Sequence, residues 1–286
     1  MSTSARRQQV TATPWPHTRL VPPALGAVDL FLVTGAESCS PALACRMGAL
    51  LDDQERLRAQ AFRRQEDRLR FVAARATLRH MLSRYFPARP EVDWVFTHNP
   101  FGKPSVGAPL EFNVSHTEGM IALAISHAQC PVGIDVERAD KLSAAACREM
   151  YPLVLAPQEQ RRFQQIPPAA EADEFVQLWT LKEAWLKATG AGLSIAPATI
   201  AFSPEVAAMT LAEGLGDPVR QDLLPLLGQA WHLHRRCLDG IDGGRHHLAV
   251  ALAAGRHAEG VAPACTWSIT TRNVSLAVLF ADAGMG

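Results

Sequence analysis

The sequence of 286 residues lacks an excess of either charge, since its 28 Lys and Arg residues equal its 28 Asp and Glu residues. A chain without net charge has no general attraction to nucleic acid or to an anionic membrane surface. We therefore expect neither as a partner, and any electrostatic argument must rest on local groups of charged side chains.

The sequence also lacks paired cysteines and long apolar runs. Its six cysteines are scattered and include no Cys-x-x-Cys motif, which argues against a zinc site or a disulfide framework and is typical of a reducing compartment. No apolar run approaches the length of a membrane span, and no apolar core follows Arg6 and Arg7 as it would in a secretory signal. We expect a cytoplasmic protein.

What the sequence does contain is a repeat. The later segment His247–Ala253 echoes Met120–Ser126, and a shift of 104 residues superimposes identical residues, among them Leu51 on Leu155, Glu55 on Glu159 and Phe71 on Phe175. This order predicts two copies of one helix-plus-sheet unit with a cleft between them. We expect a flexible N-terminal arm at 1–25, an N-terminal half at 26–137, a C-terminal half at 138–255 and a C-terminal extension at 256–286.

Hydrophobic patterning predicts the elements of these halves. The predicted helices are Pro41–Leu51, Leu57–Phe86 and Phe175–Gly190. The predicted strands are Ala27–Val33, Val92–Phe96, Phe112–His116, Met120–Ser126, Val132–Glu137 and one more within Thr266–Leu279.

The predicted helix that begins at Phe175 carries charges in an otherwise apolar setting. Asp173 is its predicted N-cap, and the glycines that follow it end it. Lys182 falls inside the apolar stripe, and Glu183 and Lys187 lie one turn apart on its flank. A buried helix does not hold such charges without compensation. The spacing alone fits both a solvated ion pair and a functional cluster, and for Lys182 we expect a structural role.

Two acidic residues, Asp135 and Glu137, lie in the predicted strand Val132–Glu137. Side chains alternate along a strand, so the two carboxylates share one face about 7 Å apart. They repel each other unless a cation lies between them. The pattern alone fits a cation site and also a strand end that frays into solvent.

The predicted helix Leu57–Phe86 is rich in arginine, with few acidic residues to offset it. Most of these arginines are typical of a solvated helix face. Guanidinium groups at this density also form a surface that suits phosphate, because their paired donors match phosphate oxygens.

Three motifs occur in order: Phe112-Asn-Val-Ser-His116, Gly133-Ile-Asp-Val-Glu137 and Trp179-Thr-Leu-Lys-Glu-Ala-Trp-Leu-Lys187. Together they resemble the signature of the 4′-phosphopantetheinyl transferases of the Sfp type, and Gly102-Lys103-Pro104 adds support. The resemblance spans about residues 50–200. It implies an α+β fold of two pseudo-symmetric halves, each a small, mainly antiparallel sheet packed with a long helix.

The resemblance also implies an activity. Members of this family transfer the 4′-phosphopantetheine group of coenzyme A to a serine of an acyl, peptidyl or aryl carrier protein and release 3′,5′-ADP. They serve siderophore, polyketide, nonribosomal-peptide and fatty-acid pathways. The reaction uses Mg²⁺ or Mn²⁺, hard cations that prefer oxygen ligands. The positions that match metal ligands are Asp135, Glu137 and Glu183. Glu183 also matches the proposed general base, and Lys187 matches the residue that steadies the pyrophosphate.

Further matched positions imply coenzyme A contacts. His116 and Arg70 match residues that hold the 3′-phosphate, Ser115 and Arg58 match phosphate contacts, and Lys103 matches a residue near the adenine. Glu55 departs from the pattern, since a lysine that contacts phosphate is expected there. Either a neighbour such as Arg56 substitutes for it or the helix is rotated.

Two other functions are compatible with these residues. One is a coenzyme A-binding or carrier-protein-binding module that has lost catalysis. Such a module should have lost at least one of the three acids and Lys187, but all four are present. A Mg²⁺-dependent nuclease would also use carboxylates and arginines, but the chain is neutral overall. We expect a monomer, because an internal repeat supplies the partner that shorter relatives find by oligomerising.

Overall fold

The computed structural model describes residues 7–9, 19–203, 208–217, 219, 221, 223–224, 230–240, 243–253 and 267–281. Its strands are β1 (Arg7–Gln9), β2 (Ala27–Thr34), β3 (Thr97–His98), β4 (Pro104–Ser105), β5 (Leu110–Thr117), β6 (Met120–His127), β7 (Val132–Arg138), β8 (Ile200–Ser203), β9 (Ala208–Leu211), β10 (Trp231–Asp239), β11 (Arg245–Ala253) and β12 (Ser268–Ser275). Its helices are α1 (Pro41–Ala49), α2 (Asp53–Gln60), α3 (Gln65–Tyr85), α4 (Ala144–Val154), α5 (Pro157–Phe163), α6 (Pro168–Thr189) and the single turn α7 (Leu276–Leu279).

The two main sheets match in three of their four strands, and the fourth strand lies at opposite edges. One has the strand order β12-β2-β6-β5 and the other has the order β1-β10-β11-β7. Within each, three strands pair antiparallel, as β2-β6-β5 and as β7-β11-β10. The chain order β2-α1-α2-α3-β5-β6 is repeated as β7-α4-α5-α6-β10-β11. The predicted α+β fold of two pseudo-symmetric halves is confirmed.

Strands near the chain ends complete both sheets. β12 pairs in parallel with β2, so this part of the predicted C-terminal extension lies in the N-terminal sheet. β1 pairs in parallel with β10, while residues 1–6 and 10–18 of the predicted arm lie outside the described residues. β7 pairs with β11 and therefore lies in the C-terminal sheet, whereas the predicted N-terminal half, 26–137, includes most of this strand.

The predicted helix Leu57–Phe86 is wrong in one respect, because two helices occupy it. α2 begins earlier, where Asp52 accepts a hydrogen bond from the backbone of Glu55 and Glu55 accepts one from the backbone of Asp52. It ends at Gln60, and Arg64 is extended before α3 starts. Such a reciprocal cap satisfies the free donors at a helix start.

The predicted strand Val92–Phe96 is also wrong. A 3₁₀ turn covers Glu91–Asp93, and the backbone carbonyls of Glu91 and Trp94 accept hydrogen bonds from Arg79 at 3.1 and 2.9 Å. The Trp94 indole donates to Ser83 Oγ at 2.9 Å. A buried guanidinium thus satisfies backbone groups that a strand would have paired.

The long helix α6 starts at Pro168 and not near Phe175, so the prediction of Asp173 as its N-cap is wrong. Proline suits the first helical turn because its missing N–H has no partner there. Gly190 ends the helix as predicted, in the left-handed conformation with φ 71°. The expected structural role of Lys182 is confirmed, as its ammonium group pairs with Glu159 at 2.6 Å and donates to three backbone carbonyls.

The apolar core has three main parts. One lies between the N-terminal sheet and α1–α3, and one between the C-terminal sheet and α4–α6. The third lies between the two sheets and includes side chains of β2, β6, β7 and β11, among them Leu30, Ala122, Ile134 and Val250. Both halves therefore pack on a shared apolar interface.

The structure also gives the state of the cysteines and the hydropathy of the helices. The five cysteines within its described ranges are free. In those same ranges, no helix combines the length and the hydropathy that a bilayer crossing requires.

Candidate active site

The candidate site lies where β7 faces α6. Val132, Ile134 and Val136 point into the core between the sheets, so Asp135 and Glu137 point the other way, toward the helix. Gly133 allows the close approach, because a Cβ atom there would lie 2.0 Å from the Ala184 carbonyl oxygen. Any larger residue would force strand and helix apart.

A hydrogen-bonded triad joins the two halves at this point. Lys187 Nζ lies 2.5 Å from Asp135 Oδ1 and 3.2 Å from Ser115 Oγ. Ser115 Oγ donates to Asp135 Oδ1 at 2.8 Å and accepts from the Val136 backbone at 3.3 Å. Three elements, β5, β7 and α6, thus meet around one carboxylate. Asp135 is only 2% exposed, and its second oxygen, Oδ2, is buried and has no hydrogen-bond partner in the described ranges.

Negative charge accumulates around the triad. Burial and then Asp135 raise the pKa of Glu137 to about 7, against the opposing effects of Lys187 and of a hydrogen bond with the Trp179 side chain. Burial also raises the pKa of Glu183, with Lys187 opposing and Asp135 adding to the rise. Burial opposes the charge of Lys187, but the three carboxylates outweigh it and raise the pKa of the ammonium group. One cation does not neutralise three acids.

The residues present fit a divalent cation, although they are not arranged as a finished ligand set. Within the part of the chain that the structure describes, no three His, Cys, Asp or Glu side chains are grouped closely enough to hold a metal ion. The free buried oxygen of Asp135 and the raised pKa values of Glu137 and Glu183 are the features that a cation would satisfy. Mg²⁺ commonly takes one or two carboxylates, with substrate phosphates and waters as its other ligands.

Positive charge collects beside the acids, on the N-terminal half. The surrounding protein lowers the pKa of His116, and Arg70, Lys187 and Arg58 lower it further in that order. His116, Arg70 and Glu137 line one cleft of about 410 Å³, a volume in the usual range for small-molecule sites. The structure therefore brings Glu137 of the C-terminal sheet to one cleft with Arg70 and His116 of the N-terminal half.

Two of these predicted phosphate contacts have partners of their own. Arg70 donates to Glu37 Oε1 at 3.0 Å and pairs with Asp67. Arg58 is exposed, with its guanidinium carbon 5.4 Å from the centre of the Phe71 ring. A phosphate in the cleft would compete with Glu37 and Asp67 for the Arg70 guanidinium group, whereas the Arg58 side chain is exposed to solvent.

Lys103 is placed apart from this group. Its ammonium group donates to the Ala188 carbonyl at 3.1 Å and pairs with Glu111 at 3.1 Å. Asn99 of the same loop donates to the Gly190 carbonyl at 2.7 Å. These bonds fasten the loop to the C-terminal end of α6, where cations and donors satisfy unpaired carbonyls. A role near the adenine stays a prediction.

Glu55, which departed from the family pattern, points away from the cleft. Its carboxylate is buried and pairs with Arg75 at 2.5 Å and with Arg79 at 2.8 Å. Arg56 lies on the surface and pairs with Asp53 at 2.9 Å. The acid therefore serves the interior of the N-terminal half, and its charge is compensated there.

Sequence reasoning missed two contributors to the site. Trp179 hydrogen-bonds to Glu137, and its position one helical turn before Glu183 was a signal for this contact. Glu118, in the turn between β5 and β6, accepts from Arg138 at 3.0 Å and from Lys141 at 3.1 Å. Its backbone carbonyl also lies 2.8 Å from His246 Nε2. No sequence motif marked this link between the halves.

Comparison with known proteins supports the predicted resemblance. Residues 131–249, which include β7, α6 and most of β11, match the sequence model of the 4′-phosphopantetheinyl transferase superfamily. A putative 4′-phosphopantetheinyl transferase of Synechocystis is 33% identical over 51% of this chain and 59% of its own length. The 4′-phosphopantetheinyl transferase HetI of Nostoc is 31% identical over 52% of this chain and 63% of its own. The resemblance is confirmed.

Two further similarities extend the comparison. A phosphopantetheinyl transferase of Thraustochytrium is 30% identical over 60% of this chain and 61% of its own length. A solved acyl carrier protein synthase of Plasmodium yoelii with ADP bound gives a TM-score of 0.35 at 19% identity, covering 44% of this chain and 96% of its own. The chain thus covers less than two thirds of the length of each of the three sequence relatives.

Proposed function

We propose that this protein transfers the 4′-phosphopantetheine group of coenzyme A to a serine of an acyl, peptidyl or aryl carrier protein. The observation that carries the proposal is the cleft between the halves, where Asp135, with its unpartnered buried oxygen, lies beside Lys187 and near a basic group. Acids that suit a divalent cation and bases that suit phosphates are the two requirements for holding a diphosphate.

The basic group would bind the phosphates of coenzyme A. Arg58, Arg70 and His116 belong to the N-terminal half, and the charges of the two arginines reach His116 and lower its pKa. Guanidinium donors match phosphate oxygens in pairs, and His116 can donate one hydrogen bond in its neutral form. Ser115 could turn its hydroxyl from Asp135 to a phosphate oxygen.

The acidic group would hold Mg²⁺ or Mn²⁺ through Asp135, Glu137 and Glu183. When bound, the ion supplies charge neutralisation at the diphosphate. Lys187, which pairs with Asp135, would act as a point charge on the departing nucleotide. Its position on α6, one turn from Glu183, keeps it at the same cleft wall.

In the reaction itself, the serine oxygen of the carrier forms a bond to the β-phosphorus of coenzyme A. The bond between that phosphorus and the bridging oxygen breaks, and 3′,5′-ADP leaves with the electron pair. Glu183 is the candidate acceptor of the serine proton, because burial raises the pKa of its carboxyl group and a base works best when its pKa approaches the operating pH.

One chain supplies both walls of the cleft, since Ser115 and Lys187 come from different halves and are hydrogen-bonded. We therefore propose that the protein acts as a monomer. We also propose a cytoplasmic location, which the scattered cysteines support.

The proposal is tested by incubating the protein with coenzyme A, Mg²⁺ and an apo carrier protein and measuring the intact mass of the carrier. We expect the carrier to gain one phosphopantetheine group, and to gain none when Mg²⁺ is chelated. Binding of coenzyme A without any mass gain would instead identify a binding module. Cleavage of added nucleic acid would identify a nuclease.

A further inference from the structure

A second basic pocket lies in the C-terminal half, between α5, α6 and β10. Arg162 and Arg235 line it together with Glu174. Arg162 Nη1 lies 4.0 Å from Glu174 Oε2, at the limit of an ion pair. Arg235 Nη1 donates to Gln177 Oε1 in a long bond of 3.4 Å. Two guanidinium groups thus share one distant carboxylate.

One donor at the pocket is unsatisfied. Arg162 Nε is buried and has no hydrogen-bond partner among the residues that the structure describes, and a buried donor without an acceptor is unfavourable. Burial lowers the pKa of Arg235, Glu174 opposes this effect, and Arg162 adds to it. Both the missing acceptor and the crowding of like charges would be relieved by an anion.

The size of the pocket limits what that anion can be. The enclosed space is about 40 Å³, and since one water needs about 10–15 Å³, it holds roughly three waters or one tetrahedral oxyanion. Its remaining walls are the apolar side chains of Leu178, Leu181, Phe202 and Leu233, together with the polar Ser203. A nucleotide does not fit, whereas inorganic phosphate does.

The internal repeat gives this pocket a counterpart. The 104-residue shift relates Arg162 to Arg58, which we have assigned to the phosphate-binding wall. In the strands, Ala249 of β11 corresponds to Ala122 of β6, and their neighbours across the sheet are Arg235 and Ser115. Arg162 and Arg235 therefore occupy the repeat-related places of Arg58 and Ser115, two residues that we have assigned to phosphate contacts in the cleft.

We propose that the pocket between Arg162 and Arg235 is a second anion site, which binds a small oxyanion such as inorganic phosphate. Arg162 Nε and the Arg235 guanidinium supply the donors, and the apolar walls exclude larger ligands. The proposal does not depend on transferase activity, because the site shares no residue with the cleft.

Calorimetric titration of the full chain with inorganic phosphate tests the proposal. We expect Arg235→Gln and Arg162→Gln each to remove one phosphate site or weaken it about tenfold or more, since charged hydrogen bonds are lost. Arg58→Gln, the repeat-related control, should leave this site intact. Arg161→Gln removes an exposed neighbouring arginine that pairs with Glu213, and it should change nothing.

A variant that strengthens binding guards against loss through misfolding. Glu174→Gln removes the carboxylate that competes with phosphate for Arg162, so we expect phosphate to bind about two- to fivefold more tightly. Unchanged phosphate binding in both Arg235→Gln and Glu174→Gln would overturn the proposal. If the variants bind phosphate as expected but the natural protein neither binds coenzyme A nor transfers phosphopantetheine, only the proposed function is overturned.

Discussion

Each half of the molecule contains a buried ion pair between a short helix and a long helix. In the N-terminal half, Glu55 near the start of α2 pairs with Arg79 of α3. In the C-terminal half, Glu159 at the same position of α5 pairs with Lys182 of α6. Both cations are fully buried and also donate to backbone carbonyls. The repeat has therefore kept the contact that fastens each short helix to its long helix.

The halves differ in the residues that carry chemistry. Subtracting the 104-residue shift from Asp135, Glu137, Glu183 and Lys187 gives Phe31, Val33, Arg79 and Ser83. Phe31 and Val33 are buried core residues, and Ser83 holds the Trp94 indole. The acids thus occur in one half only, while Arg58, Arg70 and His116 come from the other. The duplication conserves the scaffold, and a single asymmetric site uses one wall of each copy.

The largest effect should follow from Glu183→Gln. We expect the rate of phosphopantetheine transfer to fall by about 10²–10⁴-fold, the usual contribution of a general base. The fold should be retained, because a buried charge with a raised pKa is removed. Steady-state kinetics with an apo carrier protein and thermal unfolding measure the two quantities. Near-normal turnover would remove Glu183 from the mechanism.

The 104-residue shift relates Glu183 to Arg79, and replacement of Arg79 should affect stability and not catalysis. Arg79→Met removes the buried cation that Glu55 and Asp52 share and also the donors to the Glu91 and Trp94 carbonyls, while Glu55 keeps its pair with Arg75. We expect a loss of about 3–5 kcal/mol in the free energy of unfolding. Lys182→Met removes the cation that pairs with Glu159 and should lower the free energy of unfolding by a similar amount. Urea unfolding measures both. A large loss in only one of the two variants would show that the buried pairs are not equivalent.

A smaller effect is expected in the basic wall. Arg70→Gln should raise the KM for coenzyme A about tenfold, as a charged hydrogen bond to phosphate is lost, with little change in kcat. Dephospho-coenzyme A, which has no 3′-phosphate, is the matched control substrate. With it, the variant and the natural protein should give the same KM. An equal rise in KM with both substrates would show that Arg70 does not contact the 3′-phosphate.

The smallest effect concerns pH. The pKa of Glu137 in the folded protein is raised to about 7, so its charge destabilises the metal-free fold increasingly as pH rises from about 4.5 through 7. Mg²⁺ should offset that charge, so its effect on Tm should be larger at pH 8 than at pH 5.5. Glu137→Gln should reduce this difference. Equal Mg²⁺ effects at both pH values in the natural protein would contradict ligation by Glu137.

Much of this organisation could be predicted from sequence, because it depends on local pattern. The alternation in β7 and the one-turn spacing of Glu183 and Lys187 identified which side chains share a face. The halves and their topology followed from repeated positions such as Glu55 and Glu159. These features need only strand and helix periodicity.

The parts that sequence could not predict depend on distant partners. Val92–Phe96 resembles a strand, but Arg79 takes up its backbone carbonyls. Asp173 resembles a cap, but it lies inside α6 and pairs with His247 at 2.8 Å. In these two cases a tertiary contact decided the structure of a segment whose local pattern allowed two. The contact of Lys103 with the end of α6 is likewise one that no sequence pattern indicated, and its role near the adenine stays a prediction.

The central claim is that one site uses acids from the C-terminal half and bases from the N-terminal half. A crystal structure with coenzyme A and Mn²⁺, located by its anomalous signal, tests this claim most directly. We predict one ion that contacts Asp135 and the diphosphate, with the 3′-phosphate beside Arg70 and His116. An ion bound away from Asp135, or coenzyme A outside the cleft between the halves, would contradict it.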